Sequence, residues 1–191
     1  MAFSPVVAVF DACILYPFHL RNVIVQAAVD RLVHARWTEE IHDEWMRNLV
    51  ANAADLSFER LSATKQLMTI ALPEATVSGY EKRIETISLP DPGDRHVVAA
   101  AIEAKATHIL TWNLRHFPVR VLRAHGLVRR TPDAFLADLY DQVPQLLLAS
   151  LANARRNLSK SGLSAEEFLD VLREQKLTQL AKRLRRHVGD L

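Results

Sequence analysis

From Val6 to Phe10 the chain is apolar at every position, and the run ends on the carboxylate of Asp11. A short apolar stretch rich in β-branched residues, without alternation, forms a strand buried on both faces, as in parallel sheets. Parallel neighbours need crossover connections, so helices must cover the sheet. A second run, Thr107 to Thr111, leads into polar residues at Asn113. Between the two, Val23, Ala27, Ala28 and Leu32 recur at three- and four-residue steps. Thr38 can cap a helix whose Glu39 and Glu40 suit the positive end of its dipole. Pro90-Asp91-Pro92-Gly93 is turn chemistry, followed by an Ala-rich helix from Val97 to Ala106. Strand, helices and strand again predict a three-layer α/β domain, a central parallel sheet flanked by helices.

The pattern changes after Phe117-Pro118. Gly126-Leu127-Val128 reads as one last short strand, and Thr131-Pro132 as an N-cap and N1 pair opening a helix. Phe135, Leu136, Leu139, Leu146, Leu147 and Leu151 give an apolar face, interrupted by Pro144, which breaks or kinks it. Ser164 and Glu167 form a capping box for a helix holding Phe168, Leu169 and Leu172. The expected division is an α/β domain over 1–130 and a C-terminal helical extension over 131–191. Apolar residues of the extension, among them Phe135, Leu139, Leu147 and Leu151, cover the domain or build a homodimer. The basic end, Lys182 through His187, suits an RNA clamp, a dock for an acidic segment, or a solvated helix terminus.

Of 191 residues about half are hydrophobic and about a quarter charged, with a net charge of +2, so a packed core is expected and disorder is not. One cysteine, Cys13, rules out an intrachain disulfide and a Cys-based zinc finger. No apolar run approaches the roughly 20 residues of a membrane helix. The opening MAFSPVVAVFDACILYP lacks a basic n-region and a small-residue cleavage site, so a cytoplasmic protein without membrane attachment is expected. There is no GxGxxG, GxxxxGK[ST] or GxSxG, and no HExxH among the histidines. His34 and His42 read as surface or interface residues. Cys13 reads as a small packed hydrophobe, since nothing nearby would activate a thiolate.

The acids carry the chemistry. Asp11, at the C-terminal end of a central strand, lies where open α/β sheets bind ligands, although a turn or helix cap also explains an Asp there. Glu44 flanks the stripe Ile41, Trp45, Leu49, whereas Asp43 points nearly the opposite way. It can reach a cleft, or pair on the surface with Arg47 or Asn48. Asp91 before Pro92 has a sufficient reason as an N-cap. Asp94, one turn further at the mouth of the Ala-rich helix, is favoured over Asp91 for chemistry. Three carboxylates on one sheet edge repel one another unless a cation neutralises them, and an oxygen-only set suits Mg²⁺ or Mn²⁺. Such an ion activates water and stabilises charge during attack on a phosphodiester.

The ordered set Val-Phe-Asp11-Ala-Cys-Ile-Leu, Glu44, Asp91-Pro-Gly-Asp94-Arg-His-Val-Val-Ala-Ala-Ala and Thr111-Trp-Asn113-Leu-Arg-His116-Phe-Pro resembles the PIN domain. Within that superfamily it is most similar to the VapC-type toxins of toxin–antitoxin modules. The resemblance, over about Val6 to Thr131, implies a Mg²⁺- or Mn²⁺-dependent endoribonuclease held inactive by a cognate antitoxin. It implies Asp11, Glu44 and Asp94 as the acidic cluster, and products with 5′-phosphate and 3′-hydroxyl ends. Family members commonly add a fourth acid after the fourth strand; here that region offers Asn113 and His116 instead. Asn113 can ligate through its carbonyl, and His116 can bind metal when neutral or phosphate when protonated. Thr111 suits a hydrogen bond to a ligand carboxylate.

Arg95, Arg115, Arg120 and Arg123 cluster in sequence around this cleft and can pair with phosphates, which fits an RNA substrate such as tRNA or another structured RNA. An ordinary solvated surface explains any one of them equally well. Rival readings are a housekeeping RNA-processing PIN nuclease, a catalytically weak PIN domain that binds RNA or protein, and a receiver-like domain. The last ranks lowest, because Asp11 stands alone after the first strand and Asn113 ends the later one.

Overall fold

The computed structural model describes residues 3–53, 55–158 and 161–191. Four parallel strands make its sheet: β1 (Val7–Phe10), β2 (His34–Arg36), β3 (His108–Leu110) and β4 (Val128–Arg130), in the order β2-β1-β3-β4. The two central strands are the two apolar runs. Ala8, Val9, Phe10, Ile109 and Leu110 are completely buried, as strands covered on both faces must be. The register pairs Phe10 with Leu110, so the residues that follow, Asp11 and Thr111, emerge side by side. The chain from β1 crosses to β2 on one side while β3 joins β1 on the other. Asp11 and Thr111 therefore mark the switch point of the sheet, where α/β folds leave a crevice at the strand C-termini.

Among the described residues the stretch between the strands carries α1 (Ala12–Leu15), α2 (Phe18–Val29), α3 (Glu39–Asn52), α4 (Phe58–Ala71), α5 (Glu81–Ile84), α6 (Arg95–Glu103) and α7 (Val119–Arg123). Leu32, expected in register with Val23 and Ala28, lies beyond the end of α2. Arg31 takes a left-handed φ of 60° and the Leu32 N–H bonds back to Ala27 O at 2.8 Å, which ends the helix and still buries Leu32. Thr38 caps α3, accepting from Ile41 N at 3.1 Å. The buried face of α3 is wider than the expected stripe: His42 and Met46 are buried with Ile41 and Trp45, while Leu49 is half-buried. His42 is thus no surface residue. It has zero exposure, and its Nδ1 accepts from Trp45 Nε1 at 3.0 Å. Burial pushes its pKa down to about 4, so the ring stays neutral near pH 7. Arg21 is buried over the Trp45 ring, 4.7 Å from its centroid, and donates to the carbonyls of Leu15 and Tyr16 at the end of α1. It thereby locks the segment after Asp11 to the helix bearing Glu44.

The extension follows as α8 (Pro132–Gln142), α9 (Pro144–Arg156), α10 (Ala165–Glu174) and α11 (Thr178–Leu184), then a 3-10 segment, Arg185–Asp190. Thr131 caps α8, Pro144 starts α9 where the apolar face breaks, and Ser164 with Glu167 forms the capping box of α10. Phe135, Leu139, Leu147 and Leu151 are buried and covered within the chain. Polar bonds fasten α9 to α2: Asn22 Nδ2 donates to Ala154 O at 2.8 Å, and Asn157 Nδ2 to Gln26 Oε1 at 2.9 Å. Asp133 caps α11 from α8, accepting from Gln179 N and Leu180 N at 3.0 Å. In the basic end, Arg183 pairs with Asp141 at 2.7 Å while Lys182, Arg185 and Arg186 are exposed. No described helix is long and apolar enough to cross a membrane.

Candidate metal centre

Asp11 stands at the N-cap position of α1, yet its side chain makes no capping bond. It is 2 % exposed and its Oδ2 accepts from Thr111 Oγ1 at 2.6 Å and from Cys13 Sγ at 3.1 Å. The cap reading therefore fails, and the carboxylate is held by side chains at the sheet edge. Burial raises its pKa; the bonds from Thr111 and Cys13 oppose that rise, and the charges of Glu44 and Asp94 add to it. Thr111 itself is fixed from the other side, since its Oγ1 accepts from Asn113 N at 2.9 Å.

Asp94 ends the 3-10 turn Pro92–Asp94 and enters α6, again without a side-chain capping bond. Its Oδ2 lies 2.8 Å from His116 Nδ1. Burial raises its pKa, the His116 contact lowers it, and Asp91 and Glu44 push it up. Asp91 behaves as the cap the Asp-Pro pair predicts, accepting from Gly93 N at 2.8 Å, with its other oxygen 4.0 Å from His116 Nδ1. Glu44 is half-buried on α3 and Asp43 exposed. The Glu44 Oε2 is 3.7 Å from His96 Nε2.

Asp11, Glu44 and Asp94 thus sense one another's charge, while the tightest grouping of donor atoms, all within 4.8 Å of one another, is Asp91, Asp94 and His116. Asn113 is exposed on the loop after β3, and its side chain makes no hydrogen bond among the described residues. Arg95, half-buried, follows Asp94 directly; Arg115 is exposed beside His116. Arg120 and Arg123 are exposed on α7, flanking a groove with Val119 and Ala124 that none of the acids lines.

Three contributors escaped the sequence. Cys13 is more than a packing residue: its thiol, pushed up to about 12 by burial and then by the Asp11 charge, stays protonated and donates to Asp11. Its position two residues after Asp11 was the available signal. Arg129 on β4 donates to Phe117 O at 2.8 Å and to Leu114 O, bracing the 3-10 turn Leu114–His116 that presents His116. His96, 5 % exposed on α6, faces Glu44 and Glu40. Burial disfavours its charged form, but the Glu44 contact and the charges of Glu40, Glu44 and Asp11 outweigh this and raise its pKa.

Asp11, Glu44, Asp91 and Asp94 offer carboxylate oxygens, Asp11 nearly inaccessible to solvent, and His116 adds an imidazole nitrogen beside Asp91 and Asp94. That composition fits a small divalent cation.

A family model described as PIN domain matches residues 7–115, and one described as VapC50 C-terminal domain matches residues 132–186. A Mycobacterium tuberculosis protein described as "Putative ribonuclease VapC50" is 34% identical over 96 residues, which cover 49% of this chain and 54% of that protein. The chain therefore spans about half the length of the curated relative it matches. No solved structure matches.

Proposed function

The chain belongs to the PIN-domain family, and from that premise we propose that it is a divalent-metal-dependent endoribonuclease, the toxin of a toxin–antitoxin module. The observation that carries this reading is the carboxylate of Asp11, buried at the switch point of the sheet with a pKa raised by burial and by Glu44 and Asp94. Asp11, Glu44 and Asp94 would hold a Mg²⁺ or Mn²⁺ ion, with Asn113 as a further oxygen donor. Such an ion, when bound, supplies activation of water and stabilisation of charge on the phosphate under attack.

The remaining work falls to the protein's own groups. Thr111 and Cys13 aim hydrogen-bond donors at Asp11 and keep it in one rotamer. His116 holds Asp94 from the opposite side and, when protonated, offers a positive charge to a phosphate. Arg95 and Arg115 take RNA phosphates beside the acids. In this reading catalysis lies within 1–130, and the C-terminal helices buttress it through the bonds from α9 to α2. The partners of this reading are RNA, a cognate antitoxin and a second copy of the chain, in the cytoplasm. The relative's printed description, a ribonuclease, supports the same class of reaction.

The test is cleavage of RNA by the purified chain with Mg²⁺ or Mn²⁺, beside Asp11→Asn and Asp94→Asn. Each variant is expected to lose activity by ~100-fold or more, given the several kcal/mol a metal contributes to the transition state, with an unchanged circular dichroism spectrum. Parental activity in Asp94→Asn overturns the assignment. Growth arrest on expression, relieved by a small adjacent gene product, separates the toxin from a housekeeping nuclease.

A further inference from the structure

Glu40 and Glu44 lie one turn apart on α3, so both side chains leave the same face of the helix. The ring of His96 stands between them: Nδ1 is 3.8 Å from Glu40 Oε2, and Nε2 is 3.7 Å from Glu44 Oε2. It is 5 % exposed, and Nδ1 has no hydrogen-bond partner among the described residues. Val97, Val98 and Ala99 beside it are completely buried, which fixes the backbone of this turn of α6. Glu40 is anchored at its far end, where Tyr80 donates its hydroxyl to Glu40 Oε2 at 3.1 Å. His96 from α6 and Tyr80 thus both approach Glu40 on α3, and His96 alone also faces Glu44. The turn of α6 that carries Asp94 also carries, two residues on, the group that faces Glu44.

A buried histidine satisfied by the core would have a carbonyl or hydroxyl against at least one nitrogen. Here both nitrogens face carboxylates, and among the described residues Nδ1 has no hydrogen-bond partner. We propose that His96 is a positioning residue that, braced by Glu40 and Tyr80, sets the carboxylate of Glu44 for the shared cation. This deepens the metal-dependent reading above and rests on it. Outer partners of this kind orient a ligand carboxylate before the ion arrives, and their loss weakens metal binding.

The experiment is calorimetric titration of the full-length chain with Mn²⁺ alone, together with the KM and kcat of RNA cleavage. His96→Leu removes both ring nitrogens. His96→Asn keeps a donor near the Nδ1 position, toward Glu40, and His96→Gln keeps one near the Nε2 position, toward Glu44. The expected result is Mn²⁺ binding weakened ~10–100-fold in the Leu and Asn variants, near-normal binding in the Gln variant, and a fall in kcat with KM for RNA unchanged. Wild-type affinity in folded His96→Leu, or a Gln variant as weak as the Leu one, overturns the proposal. Should His96→Leu fail to fold, the Asn and Gln variants decide alone: Mn²⁺ affinity as strong in His96→Asn, which keeps no donor toward Glu44, as in His96→Gln overturns the proposal too. A wild-type chain that binds no Mn²⁺ overturns the metal reading itself, and the role of His96 with it.

Discussion

Thr111, the residue after β3, places its hydroxyl 2.6 Å from Oδ2 of Asp11, the residue after β1, so the two central strands are joined at their exits by a charge-assisted hydrogen bond. A bond of this type contributes roughly 1.5–3 kcal/mol. It also opposes the burial that raises the Asp11 pKa.

Thr111→Val keeps the shape and removes the donor. The Asp11 pKa then rises further, and the acid limb of the RNA cleavage profile moves to higher pH. Rates measured from pH 5 to 8 check this. An acid limb left in place would show that the bond does not tune Asp11.

Asp11→Asn separates stability from function. In the metal-free protein the folded-state pKa of Asp11 lies above its ordinary value of 3.8, so the buried charge costs stability above that raised value. The cost fades as pH falls through it toward 3.8. Asp11→Asn is therefore expected to melt about 2–4 °C higher than wild type at neutral pH without metal, on a gain of about 1 kcal/mol. The gap closes on acidification. Mg²⁺ at about 100 times its dissociation constant stabilises the wild type by ~2.7 kcal/mol and reverses the order. Thermal melts with EDTA and with Mg²⁺ read both effects.

His42 sets an acid limit on the fold. Its folded pKa is lowered to about 4 from 6.5, so the unfolded chain binds the extra proton between those values. Stability from its burial is complete above 6.5 and is lost as pH falls toward 4. His42→Gln removes that titration, and the stability lost between pH 7 and pH 5 is expected to shrink by about 2 kcal/mol, measured by urea unfolding at the two values.

The legible parts of the molecule were those written in contiguous residues. The apolar run into Asp11, the caps at Thr38 and Thr131, the break at Pro144 and the box at Ser164 each state their structure within a few positions. β2 was hidden because His34–Arg36 is three residues long and polar at both ends; it is a strand only because β1 offers it an edge. α4 and α5 were missed for want of a clear apolar stripe. Within the site, Asp11 and Asp94 were candidates from their places at strand and helix ends, and Thr111 from the resemblance. His96 could not, since its meaning lies in two glutamates more than 50 positions earlier on another helix. Cys13 was misread because a thiol looks apolar until a buried carboxylate needs its proton.

The sharpest test of a shared cation among Asp11, Glu44 and Asp94 is anomalous diffraction from crystals of the chain soaked in Mn²⁺. One peak is expected, bonded to Asp11 and Asp94 at about 2–2.2 Å as for small octahedral cations, with Glu44 completing the acidic side. A peak held solely by Asp91, Asp94 and His116, with Asp11 still bonded only to Thr111 and Cys13, would contradict it.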